Sequence, residues 1–332
     1  MTENIYIRSL LQSDLPTADR ILRLAFGTFV GLEDPMTFFG DADIIRTRFL
    51  SNPSAALAAE INGELVGSNF ATNWGSVGFF GPLSVRPDLW NRGVAKSLVE
   101  STIDLFDKWG TKHVGLFTFS HSPKHIGLYQ KFGFWPWFLT AIMSKPVVSA
   151  TEVDKTTTPE NALHWSKYSE LSKENQEAEC LNACRALTDS IYEGLDLKQE
   201  ITAVKSQRLG DTILLWDRNN NDVNERKLLG IAVCHFGAGS EAGSNTSYIK
   251  FGAVQSGSDP GKSFDQLLIM CEELAREQGM SRLVAGVNTG RHEAYRKMIE
   301  FGFRTDIQGV AMQRYNEPGY NKRDVYLIDD WR

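Results

Sequence analysis

The sequence predicts a mixed α/β protein in which one fold is used twice, and three observations support this prediction. The chain has 332 residues, a length typical of two domains. Each half contains a β-hairpin pattern that is followed by alternating strand and helix patterns. Three segments also return in the same order, at offsets of 163, 168 and 169 residues: Glu64–Ala71 with Lys227–Cys234, Gly93 with Gly261, and Lys131–Phe134 with Glu300–Phe303.

The first half shows the elements of this fold most clearly. Asn62-Gly63 suits a tight turn with positive φ, so it predicts a hairpin. Apolar residues recur with a period near 3.6 over Arg92–Trp109, which predicts a helix that ends at Gly110. The predicted order is strand Asn4–Leu11, helix Ser13–Thr28, hairpin strands Ala55–Ile61 and Glu64–Trp74, strand Ser76–Val85, helix Arg92–Trp109, strand His113–Ser120, helix His125–Phe132 and strand Phe138–Lys145.

The second half repeats this order after a helix that is predicted over Glu174–Tyr192. Between the halves, Pro146–Ala162 has neither a helical nor a strand period, which predicts a linker. The sequence therefore predicts a first domain over 1–146, a linker over 147–162 and a second domain over 163–332. The later predicted elements are strands Thr212–Trp216, Lys227–Phe236 and Ser247–Gln255, helix Ser263–Gln278, strand Arg282–Asn288, a helix from His292 and a strand from Ile307.

Composition and charge exclude several classes of protein. With 42% hydrophobic and 23% charged residues, the chain is not disordered, collagenous or a coiled coil as a whole. Its formal net charge of −6 argues against a nucleic-acid partner, because phosphate binding needs a basic face. No apolar run approaches the ~20 residues that cross a bilayer, and the N-terminus lacks a signal-peptide pattern. With four cysteines and no disulfide framework, we expect a cytoplasmic protein without a membrane partner.

The clearest chemical signal lies in Val85–Ala95, where a predicted strand passes into a predicted helix. Pro87 cannot continue strand pairing, and Gly93 has no Cβ, so an anion can approach the backbone closely. The first amides of a helix have no intrahelical partner and bind phosphate groups well. The segment therefore predicts a pyrophosphate cradle, with an ordinary strand-to-helix turn as the alternative.

Val85–Ala95 resembles the acetyl-CoA loop of the GNAT superfamily of N-acetyltransferases, V-x-P-x-x-Q/R-x-x-G-x-G/A. Trp90 stands where Gln or Arg is usual. A second segment, 122–134, is similar to the N-P-x-x-x-x-L-Y-x-x-x-G-F helix of these enzymes, with Ser122 in place of Asn. The loop itself matches at four positions, Val85, Pro87, Gly93 and Ala95.

The resemblance implies two tandem GNAT-like domains, each a twisted mixed sheet flanked by helices, with a CoA site in the first. Tyr129 would be the general acid that protonates the leaving CoA thiolate, because a phenol with a pKa of about 10 can donate to a thiolate with a pKa of about 8.5. The alternative is that Tyr129 is a core aromatic residue. The residues implied to bind CoA are Leu83, Val85, Trp90, Asn91, Arg92, Gly93, Val94, Ala95, Lys96 and Ser122.

The general base is left open by the sequence. Many members of the family place a Glu in the strand before the loop, yet Ser76–Val85 contains no acidic residue. His121, at the end of a predicted strand, could deprotonate an amine directly or through water. Glu33 and Asp34, in an early loop expected to border the acceptor site, are further alternatives.

The second half lacks the features that carry the chemistry in the first. Within its loop, Gly252–Ser263, Gly261 is the one clear match. The position equivalent to Tyr129 is Met298, whose side chain has no proton to donate. We therefore expect a non-catalytic domain that packs on the first or shapes its acceptor cleft, and CoA binding by this domain is left open.

These observations predict an N-acetyltransferase that moves an acetyl group from acetyl-CoA, as co-substrate and without a metal, to a primary amine by direct attack. The amine would belong to a small molecule or a peptide, and neither the acceptor nor the acyl length is encoded in a recognisable motif. A non-catalytic CoA-binding sensor or scaffold is the alternative, favoured by Trp90 and by the missing strand carboxylate. The tail 319–332 could dock across the junction of the halves or on a second subunit, so a homodimer is also left open.

Overall fold

A computed structural model describes residues 4–148, 164–171, 174–217, 227–257 and 259–332. Residues 149–162, most of the predicted linker, therefore lie outside the described part of the chain. In the described part, none of the helices combines the length and the apolar character that crossing a bilayer requires.

Within these residues the chain forms eight α-helices and fourteen β-strands. The helices are α1 (Leu15–Phe29), α2 (Ile44–Ser51), α3 (Val94–Trp109), α4 (Pro123–Gln130), α5 (Glu174–Ile191), α6 (Lys198–Gln207), α7 (Pro260–Glu277) and α8 (His292–Glu300). The strands are β1 (Ile5–Ser9), β2 (Ala56–Ile61), β3 (Glu64–Trp74), β4 (Val77–Phe80), β5 (Ser84–Val85), β6 (His113–Phe119), β7 (Phe134–Pro146), β8 (His164–Lys167), β9 (Gly210–Trp216), β10 (Leu228–Gly237), β11 (Gly243–Val254), β12 (Arg282–Asn288), β13 (Arg304–Arg314) and β14 (Leu327–Ile328).

The described strands belong to one mixed sheet. Its order is β1-β2-β3-β4-β6-β13-β7-β12-β11-β10-β9-β8, with β5 paired to β3 and β14 paired to β11. Neighbours in this order are antiparallel except for two parallel pairs, β4 with β6 and β11 with β12. Counted inward from either end of the sheet, the two parallel pairs take the same position, as two copies of one fold require. The mixed α/β fold class predicted from the sequence is confirmed.

The two halves exchange their last long strands. β13, from the second half, lies between β6 and β7 of the first half, and β7 lies between β13 and β12. In β13, Val310 faces Thr118 of β6 on one side and Leu139 of β7 on the other. Because each half completes the sheet of the other, hydrogen bonding runs without interruption across the boundary that the sequence predicts at residue 146.

Local turn chemistry explains which strand predictions hold. The hairpin of β2 and β3 is confirmed, and its two turn residues, Asn62 and Gly63, have φ values of 53° and 80°. The prediction of one strand over Ser76–Val85 is wrong, because β4 ends at Phe80 and β5 begins only at Ser84. Pro82, between them, has no N–H to offer to a neighbouring strand.

The apolar pattern of the sequence does not predict α2 and α6. Both helices bury a charged side chain: Arg48 in α2 and Glu200 in α6 are each less than a tenth exposed. These residues count as polar positions in a periodicity argument, so they hide the buried face of each helix. Charge pairing across the two halves, described below, is what allows their burial.

The halves also share a hydrophobic core. Trp74 packs edge-on against Phe79 and Phe251, with ring centroids 4.7 and 5.3 Å away. Trp331, in the tail, stacks on Phe79 at 6.2 Å, and Gly115 leaves room for its indole ring. The tail therefore docks across the junction of the halves, the first of the two positions predicted for it.

Candidate active site

The parallel strands β4 and β6 stop pairing before β6 ends, and this creates a cleft. Their last paired residues are Phe80 and Leu116, whereas β6 continues to Phe119. After β4 ends, the chain continues through Leu83 and β5 to α3. We call the space between Leu83 and Phe119 the first cleft.

The turn into α3 needs residues that accept positive φ. Gly93, the residue before the helix, has a φ of 92°, and Asn91 has a φ of 66°. These values lie in the left-handed region, which glycine enters freely and asparagine enters more readily than most residues. The local sequence therefore fixes the direction from which the chain enters α3.

The N-terminus of α3 is open. No side chain caps it at Gly93, and the first helical bond runs from the Ser97 amide to the Gly93 carbonyl at 3.1 Å. The amides of Val94, Ala95 and Lys96 donate to no acceptor among the described residues. Three unpaired amides and the positive end of the helix dipole suit a phosphate group.

Trp90 holds this loop against α4. Its indole N–H donates to the Val85 carbonyl at 2.8 Å, and the Lys124 ammonium lies 5.1 Å from its ring centroid. A cation over an aromatic face is attracted by the ring quadrupole. Trp90 thus joins the loop to α4, the other wall of the first cleft.

A cavity of about 1010 Å³ occupies the first cleft, at the upper end of the size of small-molecule sites. Arg92 and Ser122 are not in its lining. Ser122 is buried at the N-cap of α4, where its hydroxyl accepts a hydrogen bond from the His125 amide at 3.3 Å. The cavity does bring together the other sequence-predicted residues, Leu83, Val85, Trp90, Asn91, Gly93, Val94, Ala95, Lys96 and Tyr129.

Tyr129 combines burial with access to the cavity. Its ring packs edge-on against Phe80, with centroids 5.8 Å apart, and its hydroxyl has no hydrogen-bond partner among the described residues. Burial raises the pKa of Tyr129 above its ordinary value of 10.0, so the phenol keeps its proton at neutral pH. Such a group is an acid with its donor unoccupied.

His125 lies one helical turn before Tyr129 and also lines the cavity. Its ring is 4.7 Å from that of Phe29, centroid to centroid. Burial lowers the pKa of His125 below 6.5, and the nearby Lys124 and His121 add to this shift. A neutral imidazole is therefore present at neutral pH, on the same helix as the phenol.

The sequence did not single out His125 as a candidate base, although its position four residues before Tyr129 is a usable signal. The residues it named as candidate bases are placed differently. His121, Glu33 and Asp34 are not in the cavity lining, and Asp34 accepts a hydrogen bond from the Met36 amide at 3.0 Å as the cap of a short turn.

The second half supplies the far wall of the cavity, which includes Glu241 and Tyr248. Arg48 of α2 pairs with Glu241 at 2.9 Å, and Lys250 pairs with Glu241 at 2.8 Å and with Glu200 at 2.7 Å. Burial would raise the pKa of Glu241, but Arg48 and Lys250 outweigh it and hold the pKa well below its usual value. Glu241 is therefore a paired carboxylate and a poor base.

The corresponding helix start in the second half is closed. Asp259 caps α7, and its carboxylate accepts a hydrogen bond from the Lys262 amide at 3.0 Å. A Cβ at Gly261 would lie 2.9 Å from the Lys297 side chain and 3.2 Å from the Tyr326 hydroxyl. The chain's own groups thus occupy the place where a phosphate would approach.

Cys180 and Cys184 are buried on α5. Among the described residues, no group of three or more His, Cys, Asp and Glu side chains is arranged to hold a metal ion.

Residues 19–134 match the model of the acetyltransferase (GNAT) family. This match contains α3, α4 and the first cleft. No curated protein matches the chain.

Solved structures share the fold of the whole chain. A putative acetyltransferase from Pyrococcus horikoshii has a TM-score of 0.63 at 14% identity, covering 98% of this chain and 95% of its own. A GCN5-related N-acetyltransferase from Sphaerobacter thermophilus has a TM-score of 0.55 at 13% identity, covering 93% and 95%. The glucosamine N-acetyltransferase region of a fungal multi-domain GH3 β-N-acetylglucosaminidase has a TM-score of 0.62 at 12% identity, covering 94% of this chain and 38% of that one.

Proposed function

We propose that the chain, whose residues 19–134 match the acetyltransferase (GNAT) family model, is an acyltransferase that transfers the acetyl group of acetyl-CoA to a primary amine. The reaction would take place in the first cleft, with the first half as the catalytic copy and the second half as the wall that faces it. One observation carries the proposal. The unpaired amides of α3 and the unpartnered hydroxyl of Tyr129 open into the same cavity.

The residues of the first cleft fit acetyl-CoA. The pyrophosphate would bind the amides of Val94, Ala95 and Lys96, and the Lys96 ammonium would add charge at the same end. The pantetheine arm would run along the backbone near Leu83 and Val85. This direction leads from the start of α3 to Tyr129, where the thioester is needed.

Two side chains of α4 would move the protons. The amine nitrogen attacks the acetyl carbonyl carbon, a C–N bond forms, and the C–S bond of the thioester breaks. His125 takes the proton that the amine loses, and Tyr129 gives its phenolic proton to the departing sulfur. A neutral imidazole and a protonated phenol, the forms that the site favours at neutral pH, are the forms that these roles require.

Replacing Tyr129 by Phe tests the proposal, because it removes the proton donor and keeps the ring that packs on Phe80. We expect kcat for CoA release to fall by about 10²–10⁴-fold while the Kd for acetyl-CoA stays within about twofold. Thiol release and isothermal titration calorimetry measure the two quantities. Tyr6→Phe is the matched control, since Tyr6 is exposed on β1, outside the cavity lining.

Two results would contradict the proposal in different ways. If Tyr129→Phe lost acetyl-CoA binding and turnover equally, Tyr129 would have a structural role. If the wild-type protein bound acetyl-CoA tightly yet released no thiol with any amine, a CoA-binding sensor would replace the enzyme.

A further inference from the structure

Building on the acetyl transfer proposed above, we infer that the acceptor is a primary amine with a flat, ring-bearing body that carries no second ammonium group. It would bind in a part of the first cleft that we call the acceptor chamber. The acceptor chamber is lined by five phenylalanines, Phe26, Phe29, Phe38, Phe39 and Phe119.

The five rings form one continuous aromatic surface. The centroids of Phe38 and Phe39 are 4.2 Å apart, and Phe38 stacks on Phe26 at 5.5 Å. Phe26 lies 6.2 Å from Phe119, which lies 4.8 Å from Phe29. The other three spacings, apart from the closer Phe38–Phe39 pair, fall in the range of attractive ring pairs, so another ring can extend the same surface.

The aromatic surface leads to the proposed base. Phe29, at its end, is 4.7 Å from His125. An aromatic body held against Phe26 and Phe119 would therefore place an attached aminoalkyl arm beside the imidazole. The chamber thus links recognition of the body to deprotonation of the amine.

The rings are incompletely buried although they are apolar. Phe26, Phe29, Phe38 and Phe119 are half-buried, and Phe39 is 36% exposed. Contiguous apolar surface that remains open in a concave site is a mark of ligand binding. Covering it with an apolar ring would be favourable at about 25 cal/mol per Å² of apolar surface removed from water.

The loop that carries Phe38 and Phe39 is held in place before any ligand arrives. The guanidinium of Arg23 donates to the carbonyls of Phe38, Gly40 and Ala42 at 2.6, 2.7 and 3.1 Å. Phe39 has a φ of 66°, a left-handed conformation that is unfavourable for a residue with a Cβ. A loop pinned at three carbonyls can keep Phe39 in this unfavourable conformation.

The second half fixes the same loop from the other side. Asp41 accepts hydrogen bonds from the amide of Ser244, at 2.8 Å, and from its hydroxyl. The Asp43 amide donates to the Ser240 carbonyl at 3.0 Å. A preorganised wall binds a rigid flat ligand with little loss of entropy.

The charges around the cavity argue against a polyamine acceptor. The described lining contains two carboxylates, Glu241 and Asp306. Arg48 pairs with Glu241 at 2.9 Å, and Arg282 pairs with Asp306 at 2.7 Å. A second ammonium group on the acceptor would lose its hydration without meeting an unpaired acid, which is costly.

An amine panel tests the inference. Thiol release is measured with acetyl-CoA and 2-phenylethylamine, n-butylamine, spermidine or glucosamine as acceptor. We expect kcat/KM to be at least about tenfold higher for 2-phenylethylamine than for n-butylamine, because the ring adds contact with the aromatic surface. Spermidine and glucosamine should be poorer still.

Phe39→Ala connects this preference to the chamber. We expect it to lower kcat/KM for 2-phenylethylamine by about threefold to tenfold, and kcat/KM for n-butylamine by less. The Kd for acetyl-CoA and the melting temperature report whether the variant keeps the cofactor site and the fold. Phe138→Ala is the matched control, because Phe138 is 52% exposed and outside the cavity lining.

The outcomes separate this inference from the reaction on which it rests. Acetyl-CoA binding without thiol release for all four amines overturns the transfer reaction and, with it, this inference. Transfer that prefers spermidine, glucosamine or n-butylamine overturns the aromatic acceptor alone. The aromatic acceptor is also overturned if Phe39→Ala and Phe138→Ala change kcat/KM for 2-phenylethylamine equally.

Discussion

The two halves of the chain contain equivalent clefts, of which the first is open and the second is filled by the chain itself. In the first half, the amides at the start of α3 and the edge beyond β4 face a cavity. In the second half, Asp259 caps α7, and β14 pairs with β11 through Gly252 with Ile328 and Ala253 with Leu327. Each group that CoA would bring to the first cleft thus has a protein counterpart in the second: a carboxylate for the phosphate and an extended strand for the pantetheine arm.

Under the proposed function, the second half contributes to the site without binding the cofactor itself. The second half supplies Glu241, Ser240 and Ser244 to the walls and loops of the first cleft. The same contrast appears on the helices α4 and α8. At an offset of 169 residues, His125 and Tyr129 correspond to the buried Ala294 and Met298.

The largest effect is expected when a residue of α4 is replaced by its counterpart in α8. His125→Ala places on α4 the side chain that α8 carries as Ala294. We expect kcat to fall by about 10²–10⁴-fold, since the amine loses its proton acceptor. In the wild type, kcat should fall as the pH drops through the lowered pKa of His125, below 6.5, and the variant should lose this acid limb.

The pH profile also gives the control for this prediction. His121→Ala removes a neighbouring imidazole that is not in the cavity lining, so kcat should stay within about twofold. Because His121 helps to lower the pKa of His125, the acid limb of the His121→Ala variant should lie at higher pH than that of the wild type. An unchanged profile in His125→Ala would assign the acid limb to another group and leave the base open.

A second prediction tests the charge pairing that joins the two halves. Glu241→Gln removes the carboxylate that pairs with the buried Arg48 and Lys250. Leaving buried cations without this partner should lower the free energy of unfolding by about 3–5 kcal/mol at pH 7, measured by urea denaturation. Glu193→Gln breaks an ion pair with Lys112 that is largely exposed. This variant should change the free energy of unfolding by less than about 1 kcal/mol.

The sign of the pH dependence follows from the lowered pKa of Glu241. A carboxyl whose pKa is lower in the folded state stabilises the protein above its unfolded pKa, near 4.5, and loses that effect as the pH falls through the folded value. The difference between wild type and Glu241→Gln should therefore shrink below about pH 4.5. A constant difference across this range would show that Glu241 acts through packing and not through its charge.

The sequence predicts the local features of the first cleft because these depend on short segments. The strand-to-helix turn at Gly93, the hairpin at Asn62-Gly63 and the position of Tyr129 follow from neighbouring residues. The wall around Glu241 does not follow from neighbouring residues, because Glu241 pairs with Arg48, 193 positions away, and neither residue lies in a motif. The exchange of β7 and β13 is likewise set by long-range pairing, since both strands would satisfy the same apolar pattern in either half.

The smallest expected effects come from substitutions at the residues before α3 and α7. Gly93→Asp puts a carboxylate where the second half has Asp259, and Gly93→Asn is its neutral control, because both residues tolerate a positive φ. We expect the aspartate variant to bind acetyl-CoA about 30- to 100-fold more weakly than the asparagine variant, since the carboxylate repels the phosphates. Asp259→Ala should cost about 1 kcal/mol of stability and create no second CoA site, because Lys297, Tyr326 and β14 still fill that cleft. Calorimetry decides both points: a stoichiometry of two in Asp259→Ala would show that the cap alone closes the second cleft, and equal affinities in the two Gly93 variants would mean that the phosphates bind away from α3.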